Sequence, residues 1–108
     1  RHPMSLYRHI LSRHRTIKAA DLSRCQDQTV TIAGWPITGK QVRTKHGDAM
    51  EFLTFEDETG LLETTFFPKA YHRYCHMIGR GQPYLLTGKV EEDWGVCTLN
   101  VAKVDPLK

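Results

Sequence analysis

The sequence predicts a mainly β chain folded as a five-stranded Greek-key barrel, with a helix between the third and fourth strands and a short helical extension in front. Three observations predict it. Alternation of period two sets in after Gln28 and returns in five runs; the first run is long and interrupted by Gly34; and a helical pattern from Pro68 to Gly79 falls between the third run and the fourth. With 108 residues, 40% of them apolar, there is material for one core, which excludes a large enzyme.

In the extension, Met4, Leu6, Tyr7, Ile10 and Leu11 recur at spacings of three and four after Pro3, the pattern of a short helix. Ser12 to Lys18 is polar and basic, and Ala19 to Cys25 has room for one more turn, so residues 1–27 read as an extension and connector and residues 28–108 as the barrel. Strand one starts with Thr29, Val30, Thr31, Ile32 and Ala33, bends at Gly34 and continues from Trp35 to Val42. Thr44 to Asp48 reads as a hairpin loop, and Ala49 to Glu56 as strand two. Asp57-Glu58-Thr59-Gly60 supplies an Asx-type turn into strand three, Leu61 to Phe67. Pro68 suits a first helical turn, Tyr71, Tyr74, Cys75 and Ile78 make one stripe, and Gly79 is placed to end the helix. Tyr84 to Glu91 and Val96 to Val104 are strands four and five, joined across Glu92-Asp93-Trp94-Gly95. Three strands, a helix and two strands, with the first strand coiled at a glycine, is the element order of an OB-fold.

Charge is unevenly divided. The chain totals +3, yet Arg1, Arg8, Arg13, Arg15 and Lys18 give the first twenty residues five cations and no acid. Residues 21–108 hold ten Lys or Arg against twelve Asp or Glu, so the barrel lacks a broad basic face and any contact with a polyanion there is local. Cys25, Cys75 and Cys97 are odd in number and contain no C-x-x-C pair, which disfavours a disulfide framework or a structural zinc. No run approaches the roughly 18 apolar residues of a membrane span, and no leader pattern opens the sequence. The expectation is a soluble, cytoplasmic, monomeric module, and an opening on Arg1 rather than methionine suggests a piece of something longer.

Side chains alternate along strand two, so Leu53 and Phe55 belong to the core and Phe52 stands outward beside Thr54 and Glu56. A large ring on that polar surface either stacks on a nucleobase or packs beneath a loop or another domain. In strand three Leu62, Thr64 and Phe66 oppose Leu61, Glu63, Thr65 and Phe67, and the nearness of the following helix predicts that Phe67 is buried. Trp94 at a hairpin tip either stacks or folds back on its own hairpin, while Trp35 after the bend reads as packing. Lys40, Arg43 and Lys45, with His46, cluster at the loop between strands one and two as candidate phosphate partners.

Catalytic and metal chemistry find less support. His72 and His76 at i, i+4 offer two ligands on an exposed face, an incomplete site, while Cys75 belongs to the apolar stripe. Glu56, Asp57 and Glu58 point in different directions on a strand and turn, and no nucleophile elbow or phosphate-cradling glycine loop is present. No enzyme, metal or cofactor is expected of these residues.

The run VTIAGWPITGKQVRTKHGDAMEFLTFEDETGLLETTFFPKAYHRY, with HPMSLYRHIL before it and LLTGKV and VAKVDPL after it, resembles the OB-fold domain in the C-terminal region of bacterial DNA polymerase III alpha subunits, replicative or error-prone. A more general similarity reaches the anticodon-binding OB domains of class II aminoacyl-tRNA synthetases, through Gly34-Trp35, a basic stretch, and Phe52, Asp57 and Gly60 in an F-x-x-x-x-D-x-x-G pattern. The resemblance implies a base-stacking role for Phe52, a nucleic-acid contact for Lys40 and a polar base-reading place for Glu63, where an acid repels phosphate but accepts from a base amino group. It implies a module that guides single-stranded template DNA, with the polymerase carboxylates and magnesium ions outside these residues. The alternatives are a surface for docking parent-polymerase domains or replisome subunits and, less favoured by the flanks, tRNA binding.

Overall fold

The computed structural model describes residues 16–79, 81–93 and 95–106; the expected helix over residues 2–11 and Trp94 lie outside the described residues. Five strands form a closed barrel in the order β1-β2-β3-β5-β4: β1 (Thr29–Arg43), β2 (Ala49–Asp57), β3 (Gly60–Phe66), β4 (Tyr84–Asp93) and β5 (Val96–Pro106). The parallel contact of β3 with β5 closes it, and every other pairing is antiparallel.

The expected bend in the first strand is where β1 changes partner. Thr29 to Gly34 pair with β4, and Trp35 onward pairs with β2. A Cβ on Gly34 would sit 3.1 Å from the Glu56 carbonyl oxygen, so the strands cross where a side chain would crowd them. The β1–β2 register slips between Pro36 and Thr38, a bulge at a residue that has no N–H to give to the ladder. In the β4–β5 pair the slip falls between Thr87 and Gly88.

Inward positions of all five strands supply the core: Ile32, Phe55, Leu62, Phe66, Tyr84, Leu86, Val90 and Leu99 are fully buried, each contributing about 1.5–3 kcal/mol of transfer free energy for its larger side chains. The helix between β3 and β4, α1 (Pro68–Tyr74), passes into a 3-10 turn at Cys75–Met77, so the helix expected to reach Gly79 is shorter and tightens at its end. Tyr71, Tyr74, Cys75 and Ile78, the stripe read from the sequence, pack on the core, and Ala70 joins them. The exit is held by the buried Tyr84 hydroxyl, which donates to the Met77 carbonyl at 3.1 Å and accepts from the Gly79 N–H at 2.8 Å.

Ahead of β1, a 3-10 helix spans Ala19–Cys25, and Ile17 bridges Ile32 in parallel. Among the described residues no helix is long and apolar enough to cross a membrane.

Candidate nucleic-acid interface

The outward face of β2 and β3 follows from what their inward residues fill. Because Leu53 and Phe55 are drawn into the core, Phe52, which precedes Leu53, is turned to the opposite face with Thr54 and is 44% exposed. Lys40 of β1 lies directly opposite Phe52, and Thr65 of β3 lies opposite it on the other side. Thr65 in turn pairs with Asn100 of β5, and Asn100 with Lys89 of β4. One row across four ladders therefore reads Lys40, Phe52, Thr65, Asn100, Lys89: a cation, a ring, two short polar groups and a second cation.

A parallel row holds Thr38, Thr54 and Glu63. Thr54 donates its hydroxyl hydrogen to Glu63 Oε1 at 2.9 Å, which fixes the carboxylate two residues from the ring and leaves acceptor capacity on the same group.

The expected cations divide. Lys40 is exposed on the ring's side of the sheet, and Lys45 is exposed in the 44–48 loop. Arg43 pairs with Ala49, an odd number of residues from Lys40, so it starts from the other face, and its guanidinium donates to the Gly47 carbonyl at 2.8 Å. It braces the loop. The Thr44 side chain adds to this by accepting from the His46 and Asp48 N–H groups, both at 3.2 Å, while Gly47 takes φ +88°. Among the described residues neither Lys40 nor Lys45 has an acid within salt-bridge distance.

Phe67 departs from expectation. It was expected to be buried and is 45% exposed. The cause is alternation: Phe66 takes the inward slot and is fully buried, and Phe67, still extended at φ −64° and ψ 165° as the residue capping α1, is turned outward. Thr65, assigned to the outward side, is on that side but only 7% exposed, lying between Phe52 and Asn100 in register. Trp35 is buried, as expected. Sequence reasoning missed Asn100 and Lys89, whose signal was their outward parity beside buried Leu99 and Val90.

The acids of the second turn serve the fold. Buried Asp57 accepts at Oδ1 from the Thr59 N–H and hydroxyl, both at 2.7 Å, and from the Gly60 N–H at 3.1 Å; Oδ2 accepts from the Ala19 N–H at 2.7 Å. The Asx turn is present, and it also grips the connector. Away from the ring, Glu51, Tyr71, His72, Cys75 and His76 line a cleft of about 240 Å³ between β2 and α1. Burial, and then the charge and hydrogen bond of Glu51, push the Cys75 thiol from 9.0 up to about 12. Among the described residues no group of three or more His, Cys, Asp or Glu is placed to hold a metal ion.

Comparison with known proteins places this geometry. Residues 30–107 match the family described as OB-fold nucleic acid binding domain. The error-prone DNA polymerase of Anaeromyxobacter dehalogenans is 36% identical over 98% of this chain and 9% of its own length. The DNA polymerase III subunit alpha of Halalkalibacterium halodurans is 32% identical over 99% of this chain and 10% of its own. This chain thus spans about a tenth of those relatives. Among solved structures, asparaginyl-tRNA synthetase from Pyrococcus horikoshii superposes with a TM-score of 0.64 at 19% identity, over 86% of this chain and 22% of that one, a likeness of fold.

Proposed function

Since the chain belongs to the family of OB-fold nucleic acid binding domains, we propose that it is a single-stranded DNA-binding module of a bacterial polymerase of the DNA polymerase III alpha type, guiding template DNA. The observation that carries this reading is the Lys40–Phe52 pair: a cation and an exposed ring side by side on an outward sheet face. The ring offers a flat apolar surface to a base of any sequence, and the ammonium of Lys40 and that of Lys45 in the adjoining loop attract the phosphates on either side. With so few cations and a net charge of −2 over residues 21–108, affinity is modest and the strand can slide, which suits a guide. These residues hold the strand; nucleotidyl transfer in the cytosolic parent belongs to the remaining nine-tenths of such a polymerase.

Mapping amide chemical shifts with a short oligo(dT) tests the reading. Shifts over residues 40–54 and the β4–β5 hairpin, which carries Trp94, are expected. Perturbation centred on α1 or the connector would contradict it.

A second reading, a docking surface for parent domains or replisome subunits, is favoured by exposed Leu61 and Val96, which add apolar area to the same barrel wall as its two exposed rings. Titration of partner subunit against oligonucleotide, using Phe52 and Lys45 variants, separates the two.

A further inference from the structure

We infer that Phe67 is a second base-stacking platform, taking the nucleobase next to the one on Phe52, so that the barrel grips two adjacent bases rather than one. The inference rests on the single-strand-binding reading above.

Two large rings are equally open to solvent on one sheet face, 44% for Phe52 and 45% for Phe67. Phe52 lies opposite Thr65, and Phe67, the extended residue just after the end of β3, is turned by alternation to the side of Thr65. Such a diagonal step separates the two residues by about 7–8 Å, their Cβ atoms by somewhat less. At such a distance each ring keeps a face for its own base. The short side chain between them, Thr65, leaves the floor low, and its burial shows that the flanking groups already cover it.

A buried apolar residue shares the face of the rings. Met50 shares their outward parity yet is only 7% exposed. Its partner on β1 is Val42, and since Glu51 pairs with Phe66, the last residue of β3, one further step along both strands brings Phe67 to the level of Met50. An apolar neighbour on the same face limits the freedom of a ring and so reduces the ordering cost when bases arrive. Backbone conformation contributes too. Phe67 is fixed between buried Phe66 and Pro68, whose ring disfavours a helical conformation at the preceding residue.

A nucleic acid strand is favoured over a protein helix or loop by the charge around the rings. Lys40 flanks Phe52 in register, and Lys45 projects from the adjoining loop, neither with an acid at salt-bridge distance among the described residues. Cations beside flat rings suit a strand that carries phosphates beside bases.

The test uses the full 108-residue chain and fluorescence anisotropy with labelled oligo(dT) at low salt. Phe67→Ala is expected to weaken binding about five- to hundred-fold, and the Phe52→Ala, Phe67→Ala double variant to lose the product of the two single effects, as independent stacking sites do. Phe67→Leu keeps apolar bulk at this position but removes the flat face, so it should lose binding as Phe67→Ala does while matching the parent in thermal unfolding. Phe67→Trp should retain or tighten binding. The inference is overturned if Phe67→Leu binds like the parent, or if the double variant is no weaker than Phe52→Ala alone; in both cases single-strand binding through Phe52 still stands. Absence of oligo(dT) binding by the parent chain removes the functional reading and this inference together.

Discussion

Lys40 and Phe52 oppose each other across the β1–β2 ladder, both on the solvent side, with Cβ atoms about 5 Å apart by the geometry of such pairs. An ammonium beside a ring is the smallest unit that can meet a phosphate and a base of one nucleotide. Lys40→Ala should therefore weaken binding of all sequences alike and flatten the salt dependence. With Lys40 and Lys45 engaged, log K against log salt has a slope of about −1.4, and loss of one contact removes about 0.7 of it. Anisotropy titrations over a salt series measure this; an unchanged slope means that Lys40 meets no phosphate.

Asp57 should be a stability residue with no part in binding. Its carboxylate is buried and receives four hydrogen bonds, one from the connector and three within the turn. Asp57→Ala strands those donors and should cost about 2–4 kcal/mol in urea unfolding. DNA affinity of the folded fraction should be unchanged, because Asp57 shares the inward parity of Leu53 and Phe55.

Gly88→Ala should also destabilise. An added Cβ would lie 2.2 Å from the Asn100 carbonyl oxygen and 2.9 Å from the Val101 Cα, so backbone must move. A loss of about 1–3 kcal/mol in thermal unfolding is expected. Gly95→Ala offers a comparison: its Cβ meets nothing within 4 Å, and its cost comes from φ +79° alone.

Cys75 gives a pH signature. Its thiol is raised from 9.0 to about 12, by burial first and then by Glu51, so the folded chain holds this proton more tightly than the unfolded chain. The stabilisation is complete below pH 9.0 and is lost as pH climbs toward about 12. At mildly alkaline pH, alkylation of Cys75 followed by mass spectrometry should be slower in the folded chain than in urea, and Glu51→Gln should speed it in the folded chain. Equal rates in folded and unfolded chain would contradict the assignment.

Much of this was legible in the sequence where a local rule decides. Alternation around Leu53 and Phe55 turns Phe52 outward, Gly34 marks the bend of β1, and Asp57 with Gly60 marks a turn. What was not legible depends on contacts distant along the chain. Nothing in the Asp-Glu-Thr-Gly run announces that Asp57 also binds the Ala19 N–H, and nothing local shows that β3 and β5 run side by side in parallel. Phe67 was a conflict between two local rules, proximity to a helix and strand parity; parity prevailed because Phe66 had already filled the inward slot. For Arg43, counting cations in a loop left out the face each one leaves from.

The central claim is that the outward ring of Phe52 carries a nucleobase, and Phe52→Ala measured by anisotropy against oligo(dT) at low salt tests it most directly. The predicted result is binding weaker by about 1–3 kcal/mol with an unchanged thermal midpoint, since the removed ring is already half in solvent. Undiminished affinity in a variant that folds as the parent does would contradict it.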